Sequence, residues 1–224
     1  MKISHLIFKA DNLQETVRMF ETMGFETEYG QKENPYNALI YFPDHTYLEI
    51  MEKIHISGVV SFLLKLFGMR DYLNSSLAQN RLPEGFFRFA LTMETSAKKA
   101  LAERYKKVFA VSSFFAPVSR TDLHGNKLRC KCLMPSNCSL PFFMTDFNCE
   151  KLWQKKHKNG VTGIKKVVYE ASDKEIEFFM GMPIDKCLEI TKGNRGIVKV
   201  EFCRDNGELL VLRKQDGRWI REPD

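Results

Sequence analysis

The chain has 224 residues, of which 44% are hydrophobic, 28% charged and 12% aromatic. That is enough apolar material for one large domain or two small ones with a real core, and it excludes the disordered and low-complexity classes. The formal net charge of +6 is dispersed except for Lys151, Lys155, Lys156, His157 and Lys158, a run read as a solvated linker or turn rather than a phosphate site.

In chain order, Ile3, His5, Ile7 and Lys9 alternate with Ser4, Leu6, Phe8 and Ala10, the pattern of a strand. Met1 leads into it without the charged, apolar and cleavage regions of a signal peptide. Asp11 with Gln14 has the form of a capping box, Leu13, Val17, Phe20 and Met23 follow at helical spacing, and Gly24 stands where that helix should stop. Strands are predicted at 25–29, 36–42 and 46–51, the last two joined by a Pro43-Asp44-His45 turn. The next stretch lacks period-2 alternation and brings Leu63, Leu64, Leu66 and Phe67 into helical proximity, which predicts a largely helical insertion over 54–84. Its apolar part, 54–69, is interrupted by His55, Ser57, Gly58, Ser61 and Lys65 and falls short of the ~20 residues of a membrane span. It reads as a buried or lid-like helix, with a helix lying on a membrane surface as the alternative.

The same order returns. A strand pattern at 86–93 leads to a helix cap at Thr95 or Ser96 and an apolar stripe of Ala97, Leu101, Tyr105 and Val108. Strands are predicted at 117–120, 127–133 and 140–147, with a His124-Gly125-Asn126 turn. A third pass has a strand at 164–171 and a Ser172/Glu175 capping box before Ile176, Phe179 and Met180. It continues with strands at 187–191, 196–203 and 208–213, and Asp205-Asn206-Gly207 is a strong hairpin signal. Three passes with one element order indicate an α+β protein built from repeated βαβββ modules. The six cysteines are scattered without a CxxC pair, which favours reduced thiols in a cytoplasmic protein. Cys130 and Cys132 share one face of a predicted strand, and with Cys138 they leave a soft-metal reading open.

Several motifs in order resemble a known family. Met1-Lys2-Ile3-Ser4-His5-Leu6-Ile7-Phe8 before Asp11-Asn12-Leu13 is similar to the opening of a vicinal oxygen chelate module, the fold of the glyoxalase, bleomycin-resistance and dioxygenase superfamily. Phe20, Gly24 and Phe25 fit its helix-to-strand joint. Asn37 to Phe42 followed by Thr46-Tyr47-Leu48-Glu49-Ile50 resembles the module ending of its glyoxalase-like group. So do Ser119-Arg120, Gly125, Lys127, Leu128 and Leu140-Pro141-Phe142-Phe143, with His157, Asn159 and Gly160 resembling the opening of the next section.

The resemblance covers the chain from about residue 3 to about residue 170. It implies a glyoxalase-like domain over 1–150, made of units 1–53 and 85–148 around the insertion 54–84, with a third βαβββ-like unit over 160–215. The paired units would curl mixed sheets into a cup. It further implies a divalent metal there (Zn, Fe, Mn or Ni) held by His5 and Glu49 in the first unit, with Glu49 also the catalytic group.

By pattern, however, Arg88 and Lys166 fall opposite His5, and Asp146 and Leu210 opposite Glu49. Arginine and lysine are protonated cations and poor ligands. A cup that takes an anionic ligand through Arg88 or Arg120 is the physical alternative. Asn37, Phe143, His157 and Asn159 complete the candidate substrate contacts. Each also has a plain structural reading, in turns or in the core.

No P-loop, G-x-G-x-x-G, G-x-S-x-G, H-E-x-x-H or RNA-stacking motif is found, which argues against nucleotide and nucleic-acid partners. The expected partner is a small molecule, with no membrane. Three functions stay open: a metal-dependent lyase, isomerase, epimerase or dioxygenase, a non-catalytic small-molecule binder, and a protein with a vestigial cup. A homodimer is expected through an odd third unit that exposes Phe178, Phe179, Met180 and Met182.

Overall fold

The computed structural model describes residues 1–223. The first module runs β1 (Ile3–Lys9), α1 (Leu13–Thr22), β2 (Glu28–Tyr29), β3 (Asn37–Tyr41) and β4 (Tyr47–Met51). Two helices follow, α2 (Gly58–Leu66) and α3 (Arg70–Ala78). The second module is β5 (Gly85–Thr92), α4 (Lys98–Phe109), β6 (Ser113–Thr121), β7 (Lys127–Pro135) and β8 (Phe142–Met144). The third unit is β9 (Val161–Ala171), α5 (Asp173–Phe179), β10 (Leu188–Lys192), β11 (Gly196–Arg204), β12 (Leu209–Gln215) and β13 (Arg218–Arg221).

The first two modules make one eight-stranded sheet in the order β2-β3-β4-β1-β5-β8-β7-β6. Within each module the first strand pairs in parallel with the last, β1 with β4 and β5 with β8, the crossover that the intervening helix requires. The modules meet where β1 and β5 pair antiparallel, His5 opposite Ala90 and Ile7 opposite Arg88. This is the curled mixed sheet of an α+β fold. Local chemistry sets the boundaries. Asn12, not Asp11, caps α1, its side chain accepting from the Glu15 amide at 3.1 Å. Pro117 sits inside β6, which extends back to Ser113, and β6 tolerates it because it is the terminal strand of the sheet.

The third pass has the predicted element order but another topology. Its strands lie β10-β9-β11-β12-β13, so the strand after the helix pairs in parallel with the first strand and β11 takes the other side. Element order alone does not choose between these pairings. β13, which lacks a clear apolar alternation, extends the hairpin, and its Trp219 packs edge-on against Phe86 at 4.6 Å. Gly85 is needed at that contact, because a Cβ there would lie 2.3 Å from the Trp219 ring nitrogen.

The five-stranded sheet and the helices α1, α4 and α5 cover one face of the eight-stranded sheet. Phe89 meets Tyr169 at 5.2 Å, Phe25 meets Phe202 at 5.5 Å and Tyr105 meets Phe178 at 4.7 Å. Phe178 and Phe179 are therefore buried within their own chain, which corrects the expectation that they form a bare surface. Met180 is exposed and Met182 half-buried. The insertion divides in two. Leu73 and Ser76 of α3 are buried against the other face of the sheet, whereas α2 buries no residue. The apolar stripe of α2, Val59, Phe62, Leu63 and Leu66, faces outward with the capping Phe67, which rules out the buried reading of this helix and leaves the lid-like and membrane-surface readings. Among the described residues no helix is long and apolar enough to cross a membrane.

Candidate functional site

The face of the eight-stranded sheet turned away from the third unit encloses a cavity of ≈ 590 Å³. Strand alternation decides what it presents. His5 and Ile7 of β1 point inward, flanked by Tyr47 and Glu49 of β4 and by Ala90 and Arg88 of β5. Asn37 and Leu39 of β3, Arg120 of β6, Cys130, Cys132 and Met134 of β7, and Phe142 and Met144 of β8 complete the wall. Tyr72, Ser76 and Gln79 of the insertion close one end.

Two buried polar atoms in this cavity have no hydrogen-bond partner among the described residues, His5 Nδ1 and Arg88 Nη2. His5 is 2% exposed, stacks on Tyr47 at 4.2 Å and meets the edge of Phe142 at 5.3 Å. Burial, with the nearby positive charges of Arg88 and Arg120, lowers its pKa to about 3, so the imidazole is neutral at ordinary pH. Arg88 donates from Nε to the Leu140 carbonyl at 2.9 Å and lies over the Phe142 ring at 4.4 Å. Arg120 donates to the Tyr41 hydroxyl and lies over the Phe147 ring at 5.7 Å. Glu49 is half-buried and accepts from Asn37 Nδ2 at 2.7 Å. Burial raises its pKa, and the Asn37 hydrogen bond opposes that rise only in part.

The sheet register identifies equivalent positions in the two modules. Exchanging β1 and β5 about their antiparallel pairing carries His5 onto Arg88 and Ile7 onto Ala90. Glu49 pairs beside Ile7, and Phe142 pairs beside Ala90. The counterpart of Glu49 is therefore Phe142. Asp146 lies beyond β8 and is exposed. Where the first module offers imidazole and carboxylate, the second offers a guanidinium stacked on a phenyl ring.

A divalent metal does not fit this donor set. His5 and Glu49 are two donors, their second-module counterparts Arg88 and Phe142 are not donors, and among the described residues no group of three His, Cys, Asp or Glu side chains gathers. Arg88 and Arg120 also place two positive charges beside His5. Zn, Mn, Fe and Ni sites draw on three or more such ligands with open positions for water or substrate.

Three other residues expected at the site lie elsewhere. Phe143 faces the core, 0% exposed and against Tyr105 and Phe178, because it alternates with Phe142 and Met144 along β8. His157 bridges the first module, its Nδ1 accepting from the Glu26 amide at 2.9 Å and its Nε2 lying 3.0 Å from the Tyr41 carbonyl. Asn159 donates to the Met23 carbonyl at 2.9 Å and packs on Gly24, whose φ of +87° suits the helix end. Both residues tie the segment before β9 to the first module, Asn159 at the end of α1 and His157 between Glu26 and β3. Conversely, Tyr47, Phe142, Cys130 and Cys132 are site-lining positions that face assignment along β4, β7 and β8 marks in the sequence.

A glyoxalase-like domain model matches residues 3–177, which spans both modules and ends within α5. No curated protein matches the chain. Among solved structures, a hypothetical protein from Staphylococcus aureus aligns at 14% identity with a TM-score of 0.57, over 94% of this chain and 98% of that one. The Mn(II)-bound glyoxalase from Novosphingobium aromaticivorans aligns at 8% identity and a TM-score of 0.50, over 93% of this chain and 80% of that one. A catechol 2,3-dioxygenase aligns at 9% identity and a TM-score of 0.45, over 96% and 66%. The first two likenesses speak to the fold alone, and the family rests on the domain match: the chain belongs to the glyoxalase-like domain family, with the vicinal oxygen chelate fold.

Proposed function

We propose that the cup binds a small organic anion with an apolar or aromatic body, held by Arg88 and steered by Arg120. The observation that carries this reading is the pair of buried, unpartnered atoms, Arg88 Nη2 and His5 Nδ1, in one cavity. A buried polar group without a partner costs about 1–3 kcal/mol, and more when charged. A carboxylate on Arg88 would remove that cost, and guanidinium matches its geometry. The remaining wall, with Ile7, Tyr47, Phe142 and Met144, suits an apolar body.

Glu49 supports a second, catalytic reading of the same site. Glu49, Ile7 and Arg88 lie in one row on three adjacent strands, which places the Cα atoms of Glu49 and Arg88 about 10 Å apart across the cup. A carboxylate with a raised pKa on one side and a guanidinium on the other can take a proton from carbon next to a carbonyl and stabilise the resulting enolate. The reaction class is proton transfer, as in an isomerase or lyase, and this chain's own residues perform it.

The test is calorimetric titration of chelator-treated protein with benzoate and with benzamide. Benzoate should bind, and the neutral isostere should bind at least ten-fold more weakly. Equal affinities, or benzoate binding that appears only after Mn(II) is added, would remove the reading.

A further inference from the structure

The β7 wall of the cup holds a group of sulfur atoms that neither reading uses. Cys130, Cys132 and Met134 occupy alternate positions of one strand and face the cavity together. Met144 on β8 pairs beside Cys132. All the cysteines are free thiols, and the Cys130 and Cys132 sulfurs lie 3.9 Å apart.

We infer that Cys130 and Cys132 form a binding site for a soft monovalent cation of the Cu(I) type. With metal–sulfur bonds of ~2.3 Å, a linear site needs its sulfurs ~4.6 Å apart, whereas 3.9 Å corresponds to an S–metal–S angle of about 115°. That is the opening of a three-coordinate site, and Met134 and Met144, which pack beside the two thiols in the same cavity, are the candidate third donors. Thiolate and thioether donors select Cu(I) over harder ions. Among the described residues no third His, Cys, Asp or Glu side chain gathers with this pair, as divalent sites usually require.

The charge balance fits the cup. Binding one Cu(I) releases both thiol protons and leaves a bis-thiolate with net charge −1. Arg120 projects from β6, beside β7, into the same cavity. A site that repels a divalent cation held by neutral and carboxylate ligands thus accommodates an anionic metal–thiolate unit. This inference does not depend on the anion-binding reading.

The experiment uses the reduced full-length protein, titrated anaerobically with Cu(I) against a chromophoric Cu(I) chelator. One equivalent should be withdrawn from the chelator. Cys130→Ser and Cys132→Ser should each weaken retention at least ten-fold, and Cys138→Ser should not change it. X-ray absorption of the loaded protein should show sulfur at about 2.3 Å. Because a variant can misfold, the wild type is also alkylated with iodoacetamide, with and without Cu(I), and Cu(I) should protect Cys130 and Cys132 together. No retention against the chelator, retention unchanged in the double serine variant, protection confined to other cysteines, or loss of both thiols to a disulfide without bound metal would each overturn the assignment.

Discussion

The two modules of the cup share one backbone plan and present opposite chemistry to the same space. His5 and Glu49 on β1 and β4 of the first module correspond by register to Arg88 and Phe142 on β5 and β8 of the second. In the first module the carboxylate is held by Asn37, and the imidazole is stacked on Tyr47. In the second the cation lies over an aromatic ring and its end is left unpartnered. A pseudo-symmetric scaffold therefore does not imply a symmetric site. Arg88 and Phe142 stand where the first module has His5 and Glu49, while the sheet plan stays as it is.

The comparison is broken most severely by making the halves alike. Arg88→His combined with Phe142→Glu gives the second module the donor types of the first. The expected outcome is Mn(II) binding at micromolar metal in the double variant and none in the wild type, read by electron paramagnetic resonance of free Mn(II). Wild-type protein that already removes Mn(II) from solution would show that the halves were never different in this respect.

Arg88→Gln keeps a polar side chain but removes the charge. A charge-assisted hydrogen bond contributes about 1.5–3 kcal/mol, so benzoate affinity should fall by roughly 10- to 100-fold. Benzamide binding should change little, which separates lost charge from lost structure.

Glu49→Gln tests the other half. Exchange of the C3 protons of phenylpyruvate with deuterated solvent, followed by NMR, should be accelerated by the wild type and not by this variant, whereas binding of the anion should be unchanged or tighter. In the wild type the rate should rise as pH increases through the pKa of Glu49, which burial raises above the ordinary carboxylate value. Exchange catalysed equally by the variant would remove Glu49 from a catalytic role.

The smallest effect concerns pH and stability. His5 and His157 have folded-state pKa values lowered to about 3 and about 4, with burial the largest cause for each. Their unfolded values lie near ~6.5. Above that pH neither state binds the proton, so no penalty exists. Below it the unfolded chain takes up protons that the folded chain refuses, and stability falls as pH drops from 6.5 towards 4. A tenfold difference in proton affinity is worth about 1.4 kcal/mol. His157→Gln should flatten the slope of denaturation midpoint against pH in that window. An unchanged slope would mean that His157 is not neutral in the fold.

Much of the architecture was legible because two periodicities alternate cleanly. Ile3 to Ala10 reads as a strand with both faces covered, and Leu13, Val17 and Phe20 read as a helix stripe. His5, Asn37, Glu49, Arg88 and Arg120 all line the cavity. What the sequence hid was register and long-range contact. Phe142 and Phe143 differ by one position, and a one-residue difference in a strand exchanges cavity for core. The equivalence of Glu49 with Phe142 depends on which strands pair, and the sequence pattern pointed instead to Asp146. His157 and Asn159 look like site residues because of their motif, yet their partners Tyr41, Glu26 and Met23 lie more than a hundred positions away. Burial also changes the meaning of His5. An acid titration near its ordinary pKa cannot report on an imidazole whose pKa is about 3.

The central claim is that the cup answers to an anion through Arg88 and His5 rather than to a divalent metal through His5 and Glu49. The most direct measurement follows the side-chain ¹⁵N resonances of arginine and histidine in chelator-treated protein, titrated separately with benzoate and with Mn(II). The account predicts that benzoate shifts the Arg88 and His5 signals together and saturably, and that Mn(II) broadens neither. Selective broadening of His5 by Mn(II), with Arg88 unmoved by benzoate, would contradict it.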